Sequence, residues 1–142
     1  SERKKSMALI IDLKPGEKIL IGEAVITNDS QRTRLHIAGD APIMREKDVM
    51  KEEDVDTPCK KIYFLVQCMY LARNPRLYFD RYFQEIRDLQ SVAPTTALFF
   101  MNINQMILEG HYYKALKEAQ QLLEHERELL ENVGKQPQQA AE

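Results

Sequence analysis

The chain has 142 residues, of which 44% are apolar and 30% charged, and its formal net charge at pH 7 is −2. This composition is ordinary for a soluble globular protein, and the small net charge gives no overall attraction to nucleic acid. Because no apolar run approaches the ~18 residues of a membrane span, we expect a cytoplasmic protein without membrane contact.

Residues 7–50 predict a small antiparallel β-sheet of four or five strands, because short apolar runs alternate with turn-forming residues. Pro15 and Gly16 favour a tight turn between the first two strands. The predicted strands are residues 8–13, 18–21, 24–27, 32–37 and 41–44.

Beyond residue 50 the apolar residues recur at helical spacing. Thr57 is a favourable N-cap and Pro58 suits the first helical position, so a helix should begin there and end near residue 74. Further helices are predicted at residues 77–90, 97–109 and 111–133, the last stopped by Gly134 and then Pro137. The fold class is therefore α+β, with a small N-terminal antiparallel sheet followed by about four helices.

The predicted domain organisation has a β domain at 7–50 and a helical domain packed with it at 51–134. Residues 1–6 are expected to be a flexible or non-native start, and residues 135–142 a disordered tail.

The first predicted helix is apolar on nearly every side, which is typical of a helix inside a protein. We expect its side chains to form the structural core, namely Ile62, Tyr63, Val66 and Met69.

Glu126 falls on the apolar seam of the last predicted helix and interrupts it. Two interpretations are open: the end of the helix frays or lies exposed, or Glu126 meets a partner residue across an interface.

No motif typical of catalysis or metal binding occurs in the sequence. It contains neither a Gly-rich phosphate loop nor Cys-x-x-Cys nor His-Glu-x-x-His, and its three histidines lack metal-ligand spacing. Cys59 and Cys68 lie nine residues apart on opposite faces of one predicted helix, so we expect two reduced thiols. We predict a protein that is not an enzyme, with no catalytic residues, metal or cofactor.

A cationic row, Arg32, Arg34 and His36, alternates with apolar residues on the fourth predicted strand. Its spacing of about 6.6 Å would let the strand follow an extended, single-stranded phosphate backbone. The same pattern is typical of the solvated face of a half-buried sheet. The β part contains no aromatic residue on which a base could stack.

Several stretches along the chain resemble the FlbT family of flagellar regulators. They are Leu13-Lys14-Pro15-Gly16-Glu17-Lys18, Gly22-Glu23-Ala24-Val25-Ile26, Met44-Arg45-Glu46-Lys47-Asp48-Val49-Met50, Thr57-Pro58, Ile62-Tyr63-Phe64, Met69-Tyr70-Leu71 and Tyr112-Tyr113-Lys114-Ala115-Leu116. They follow the family order from Met7 to about Leu130.

The resemblance implies a post-transcriptional regulator that binds the 5′ untranslated region of flagellin mRNA and promotes its degradation. It also implies that the protein works alongside flagellin and FlaF. Some family members act in the positive direction, so the sign of regulation stays open.

The β part alone resembles CsrA-type RNA-binding proteins, through Pro15-Gly16-Glu17, Ile19-Leu20-Ile21-Gly22, Arg34-Leu35-His36-Ile37, Ala41-Pro42 and Arg45-Glu46. That resemblance implies a small intertwined dimer, with RNA contacts near Ile11 and at Arg45. The chain departs from CsrA at the end of the first strand, where Leu13 stands in place of a basic residue.

Two hypotheses of different classes follow. In the first, the β part binds the flagellin mRNA leader through Arg32, Arg34, Arg45 and Lys47, and affinity weakens steeply with salt. In the second, the helices form an adaptor that binds flagellin, FlaF or a secretion component, and the effect on mRNA is indirect. A homodimer is the default expectation for either.

Overall fold

The computed structural model describes residues 8–140, and the side chains of residues 8–133. The chain divides into two compact units between Val49 and Met50. Within residues 8–49 the elements of the first unit are β-strands and a short 3-10 turn, and the second unit is helical, so the predicted α+β fold is confirmed.

The β unit has five strands, each close to its predicted position. They are β1 (Leu9–Leu13), β2 (Lys18–Ile21), β3 (Ala24–Thr27), β4 (Thr33–Ile37) and β5 (Ile43–Arg45). They form two small antiparallel sheets, one of β1 and β4 and one in the order β3-β2-β5. The single sheet expected from the sequence is thus divided.

Asn28 explains this division, because it turns the chain away from β3 and towards β1. Its side-chain amide donates to the backbone oxygens of Leu13, Lys14 and Gln31, at 3.2, 2.9 and 2.6 Å. Thr33, the first residue of β4, donates its hydroxyl hydrogen to Asn28 Oδ1 at 3.1 Å. The start of β4 is therefore held beside the end of β1, which becomes its pairing partner.

The core of the β unit lies on one face of these strands. Its buried residues are Ile11, Leu13 and Ile19, with partly buried Ile21, Leu35, Ile37 and Ile43 packed against them. Along β4, Leu35 and Ile37 point to this core while Arg34 and His36 are exposed. The alternation of the sequence therefore sets which side chains of β4 reach solvent.

The helical unit contains α1 (Pro58–Leu71), α2 (Phe79–Val92), α3 (Ala97–Leu108) and α4 (Tyr112–Ala140), with α1 packed on α2 and α4, and α3 on α4. Thr57 caps α1 by accepting a 3.1 Å hydrogen bond from the Lys60 N–H. Pro58 occupies the first turn, where a missing N–H leaves no bond unmade. The predicted start of this helix is correct.

The α1 side chains Ile62, Tyr63, Val66 and Met69 are each at most 3% exposed. They share the core with residues of the other three helices, which are Tyr82, Ile86, Leu89, Phe100, Ile103, Ile107, Ala115, Leu116, Ala119 and Leu122.

Gln67 is a buried polar residue of α1, only 3% exposed. Its amide nitrogen donates to the Met50 carbonyl at 2.9 Å, and its amide oxygen accepts from the Met50 N–H at 2.8 Å. Both polar groups of the side chain are satisfied, as burial requires.

Glu126 meets a partner residue across the packing interface of α1 and α4, as the second interpretation predicts. Its carboxylate accepts hydrogen bonds from the Thr57 hydroxyl at 2.6 Å and from the Cys59 N–H at 3.3 Å. The negative charge thus lies at the N-terminus of α1, where the helix dipole stabilises it. The first interpretation was wrong at this position, because a carboxylate on an apolar seam can be satisfied by a neighbouring helix end.

The last helix continues through Gly134 to Ala140, beyond its predicted end. A glycine in a helix costs only about 1 kcal/mol relative to alanine. Pro137, the second expected stop, also lies within the helix, although it has no N–H to bond the carbonyl four residues earlier, and no feature of the described residues explains why the helix continues past it. The backbone of the predicted tail is helical as far as Ala140, whereas residues 141 and 142, like residues 1–7, lie outside the described residues. Among the described helices, none is both long and apolar enough to cross a membrane.

Candidate nucleic-acid interface

The register of β1 and β4 builds the candidate interface. Asp12 of β1 lies directly opposite Arg34 of β4, and Ile10 lies opposite His36. Residues paired across an antiparallel ladder share a face, so these four side chains stand together on the face opposite the core. All four are exposed.

Asp12 and Arg34 form an ion pair across this ladder. Arg34 Nε donates to Asp12 Oδ1 at 2.8 Å, and Arg34 Nη2 approaches Oδ2 at 3.4 Å. The hydrogen bond from Arg34 is the largest influence on Asp12 and lowers the pKa of this carboxyl group, while Asp12 raises the pKa of Arg34. The pair fixes the direction of the guanidinium more than it stabilises the fold, because both side chains are more than half exposed.

Arg45, which lies on β5 in the other sheet, is held beside Asp12. Its Nη1 atom donates to the Asp12 backbone oxygen at 3.0 Å and lies 3.6 Å from Glu17 Oε1. The side chain is 29% exposed, so part of the guanidinium still faces solvent. Asp12 therefore brings together two arginines that are eleven positions apart in the sequence and lie on strands of different sheets.

Glu17 forms a second acidic point next to Arg45. Its carboxylate accepts a 2.7 Å hydrogen bond from the Lys14 N–H, which is the main cause of its lowered pKa. The positive charges of Arg45 and Lys47 act on Glu17 in the same direction. Lys47 lies in the 3-10 turn Glu46–Asp48 after β5, and it is exposed.

Arg32 lies just before β4 and is also exposed. Its charge contributes to the lowered pKa of Asp12, so it belongs to the same electrostatic neighbourhood as Arg34 and Arg45. The four basic residues predicted from the sequence therefore lie near two carboxylates. Arg32, Arg34 and Arg45 lie near Asp12, and Arg45 and Lys47 lie near Glu17. We call these four basic residues with Asp12 and Glu17 the basic cluster.

Sequence reasoning missed Asp12, although one signal was present. Asp12 is the one charged residue in the otherwise apolar strand LIIDL. A single charge in such a strand, with an arginine-bearing strand predicted nearby, indicates a cross-strand ion pair.

Ile11, where the CsrA resemblance places a first-strand contact, is only 8% exposed and belongs to the core. Its side chain therefore does not form part of the exposed surface.

The basic cluster offers several N–H donors around partly neutralised acidic groups. Guanidinium groups bind phosphate oxygens through two parallel hydrogen bonds, and a phosphate can take the place of a carboxylate partner. Within residues 8–133, no group of three or more His, Cys, Asp or Glu side chains has a geometry that could hold a metal ion.

A family model described as flagellar protein FlbT matches residues 9–130 of the chain, and so spans both units. The chain belongs to the FlbT family. All four predicted RNA-binding residues and all four predicted core residues lie within the matched range.

Individual relatives support this membership. A Rhodopseudomonas palustris protein named probable flagellum biosynthesis repressor protein FlbT is 44% identical over 124 residues, covering 87% of this chain and 98% of the relative. A Bradyrhizobium diazoefficiens protein named probable flagellum biosynthesis repressor protein FlbT 1 is 42% identical, covering 87% and 85%. The Caulobacter vibrioides flagellum biosynthesis repressor protein FlbT is 33% identical over 130 residues, covering 89% and 92%.

No solved structure matches this FlbT family member significantly. The resemblance of its β unit to CsrA therefore stays a sequence-based prediction.

Proposed function

We propose that the chain is a post-transcriptional repressor of flagellin synthesis, which binds the 5′ untranslated region of flagellin mRNA and promotes its degradation. The family and the names of its relatives support a role as a repressor in flagellum biosynthesis. The chain acts by binding rather than by catalysis, in the cytoplasm, where the mRNA is.

The observation that carries the RNA proposal is the grouping of Arg32, Arg34 and Arg45 around Asp12. Arg34 already binds a carboxylate, that of Asp12, on the exposed face of the strands, and a phosphate oxygen can take the place of that carboxylate. An RNA strand displaces Asp12 from Arg34 and contacts Arg32 and Lys47 at either side. Phosphate contacts dominate such an interface, and they weaken as salt rises.

The decisive experiment measures binding of a labelled flagellin mRNA leader to the full chain by fluorescence anisotropy, in salt from about 50 to 200 mM. The test variants are Arg32→Ala/Arg34→Ala/Arg45→Ala and the double variant Arg32→Ala/Arg34→Ala. The control matched in charge to the double variant is Arg81→Ala/Arg87→Ala, which removes two exposed arginines of α2. We expect the test variants to lose binding and the control to keep it.

Arg45 also contacts the β1 backbone, so a loss caused by unfolding has to be separated from a loss of contact. Thermal melting of each variant does this, and Arg32→Ala/Arg34→Ala leaves the Arg45 bond in place. Equal binding by wild type and the folded double variant, or affinity that is indifferent to salt, contradicts the proposal.

A second candidate function is a protein adaptor for flagellin or FlaF, with an indirect effect on mRNA. It is favoured by α3, a helix of twelve residues without a charged side chain. Leu98, Met101 and Leu108 of this helix are each 67–70% exposed. Exposed apolar side chains on one helix are typical of protein-interaction surfaces.

This alternative predicts that purified flagellin or FlaF binds the full chain in the absence of RNA, and that Leu98→Gln/Met101→Gln reduces the binding. If wild type binds an RNA leader only once flagellin or FlaF is added, the adaptor becomes the better account.

A further inference from the structure

His36 places an aromatic ring on the same exposed face as Asp12 and Arg34. It lies two residues after Arg34 on β4, which is about 6.6 Å farther along the strand. Its side chain is exposed, and within residues 8–133 the imidazole ring has no hydrogen bond, ion pair or ring contact. The ring is therefore free to meet a ligand that binds the neighbouring arginine.

Ile10 adds an apolar side chain directly beside this ring. It is paired with His36 in the β1–β4 register and is 55% exposed. Side chains opposite each other in an antiparallel pair have Cβ atoms about 4.5–5.5 Å apart, and diagonal neighbours lie about 7–8 Å apart. Ile10 is thus adjacent to His36 and diagonal to Arg34. It takes no part in the core of the β unit, which lies on the other face, so packing within the unit does not explain an isoleucine here.

A ring and an apolar side chain next to a guanidinium match the parts of a nucleotide. Unpaired RNA bases stack on aromatic side chains, and histidine is one of those that proteins use for this purpose. The expectation that the β part offers no ring for stacking considers only Phe, Tyr and Trp, which are absent from residues 7–50. A base is joined to the phosphate of its own nucleotide through one ribose, so the two groups can reach His36 and Arg34 together.

A purely cationic role for His36 explains less of this surface. A phosphate bound by the imidazole would make no use of the isoleucine directly opposite it, because a phosphate has no apolar surface. A base has an apolar face and edge, and so it uses both side chains. The pairing of Ile10 with His36 therefore favours a base over a further phosphate at this position.

We propose that His36 and Ile10 form a binding site for one unpaired nucleobase of the RNA strand whose phosphates bind Arg32 and Arg34. The imidazole ring stacks on the face of the base, and the Ile10 side chain packs against its edge. This inference rests on the proposed RNA-binding function and adds a contact to a base. Phosphate contacts alone carry no sequence information, so this contact gives the interface a means of preferring one base over another.

The test measures binding of the full chain to the labelled flagellin mRNA leader by fluorescence anisotropy, across the same salt series. His36→Ala removes the ring, His36→Phe keeps a ring without a charge, and His36→Lys supplies a charge without a ring. His111→Ala is the matched control, because His111 is an exposed histidine of the helical unit. Thermal melting of each variant checks that it is folded.

We expect His36→Ala to bind the leader about tenfold more weakly than wild type, within the range for the loss of one stacked base. His36→Phe should restore most of the affinity, whereas His36→Lys should not. The slope of log affinity against log salt should be the same in His36→Ala as in wild type, because a stacked base neutralises no phosphate. Ile10→Ala should weaken binding by a smaller factor, and His111→Ala should bind as wild type does.

Three outcomes overturn the proposal. The first is wild-type affinity in folded His36→Ala. The second is recovery of binding in His36→Lys but not in His36→Phe, with a shallower salt slope in His36→Ala, which would assign the imidazole to a phosphate. Both of these leave the proposed RNA-binding function standing. The third is no binding of the leader by wild type, which overturns that function as well.

Discussion

Glu126 of α4 accepts a 2.6 Å hydrogen bond from the hydroxyl group of Thr57, the residue that caps α1. The same carboxylate accepts from the Cys59 N–H at 3.3 Å. Burial first, and then the negative charge of Glu126, raise the pKa of the Cys59 thiol to about 12. The start of one helix and the side of another thus form one polar junction inside the helical unit.

Replacing Glu126 by alanine should lower the free energy of unfolding by about 1–2 kcal/mol, because the Thr57 hydroxyl and the Cys59 N–H at the start of α1 both lose their acceptor. Urea denaturation followed by circular dichroism measures the change. Glu128→Ala is the control, since Glu128 is exposed and should change stability by less than about 0.5 kcal/mol. Equal effects of the two substitutions would contradict a capping role for Glu126.

Replacing Val66 by aspartate should cost about 3–5 kcal/mol, because it places an unpaired charge in the core of the helical unit. Val66 is 0% exposed, whereas Val92 at the end of α2 is 75% exposed. Val92→Asp therefore serves as a control with the same chemical change and little expected effect. A wild-type melting temperature for Val66→Asp would show that the burial of α1 is assigned wrongly.

Asn28→Ala should destabilise the β unit by about 1–3 kcal/mol, because the backbone oxygens of Leu13 and Lys14 lose their donor. The adjacent Asp29→Ala changes an exposed residue of the same turn and tests whether any substitution there has this effect. Thermal melting of both variants gives the comparison, and equal melting temperatures would argue against Asn28 as the residue that directs β4 to β1.

Asp12→Asn should strengthen binding to an RNA leader, because Arg34 is released from an ion pair and the cluster gains a positive charge. The slope of log affinity against log salt should steepen by about 0.7, the value for one additional phosphate contact on a single strand. Asp80→Asn makes the same change in charge on α2 and should leave the slope unchanged. Weaker binding by folded Asp12→Asn would mean that the carboxylate is needed to orient Arg34.

The β unit should lose stability in acid. The folded-state pKa values of Asp12 and Glu17 lie below their ordinary values of 3.8 and 4.5. A carboxyl group whose pKa is lower in the folded state than in the unfolded state stabilises the fold at pH values above its unfolded pKa. This stabilisation is lost as the pH falls through the folded-state pKa. The melting temperature should therefore be level down to about pH 4.5 and then fall. The fall should be smaller in Asp12→Asn/Glu17→Gln, because this variant lacks both carboxyl groups. An identical acid profile in the double variant would contradict this assignment.

Local chemistry made much of the fold predictable from the sequence. Gly16 has a φ of +80°, and the Glu17 N–H donates to the Lys14 oxygen at 3.1 Å, as expected for a tight turn with Pro and Gly at its centre. Thr57 and Pro58 likewise begin α1 where their chemistry requires. These features depend on neighbours within four residues, which a sequence displays directly.

The less predictable features depend on residues far apart in the chain. Asp12 and Arg34 are 22 residues apart, and Thr57 and Glu126 are 69 apart. Each partner alone has an ordinary interpretation, a polar residue in a strand or a glutamate on a helix. Only the strand register or the packing of α1 on α4 brings the partners together. The candidate basic residues could therefore be named from the sequence, whereas of the acidic residues that organise them only Asp12 gave a signal, as the one charge in an apolar strand.

The contact between Gln67 and Met50 sets a boundary for any fragment of this protein. The Met50 N–H donates to the Gln67 amide oxygen, and the Met50 carbonyl accepts from the Gln67 amide nitrogen. A helical fragment that begins after Met50 would leave this buried amide without either partner, at a cost of about 1–3 kcal/mol. The helical unit therefore begins eight residues before its first helix, and expression of that unit alone should retain Met50.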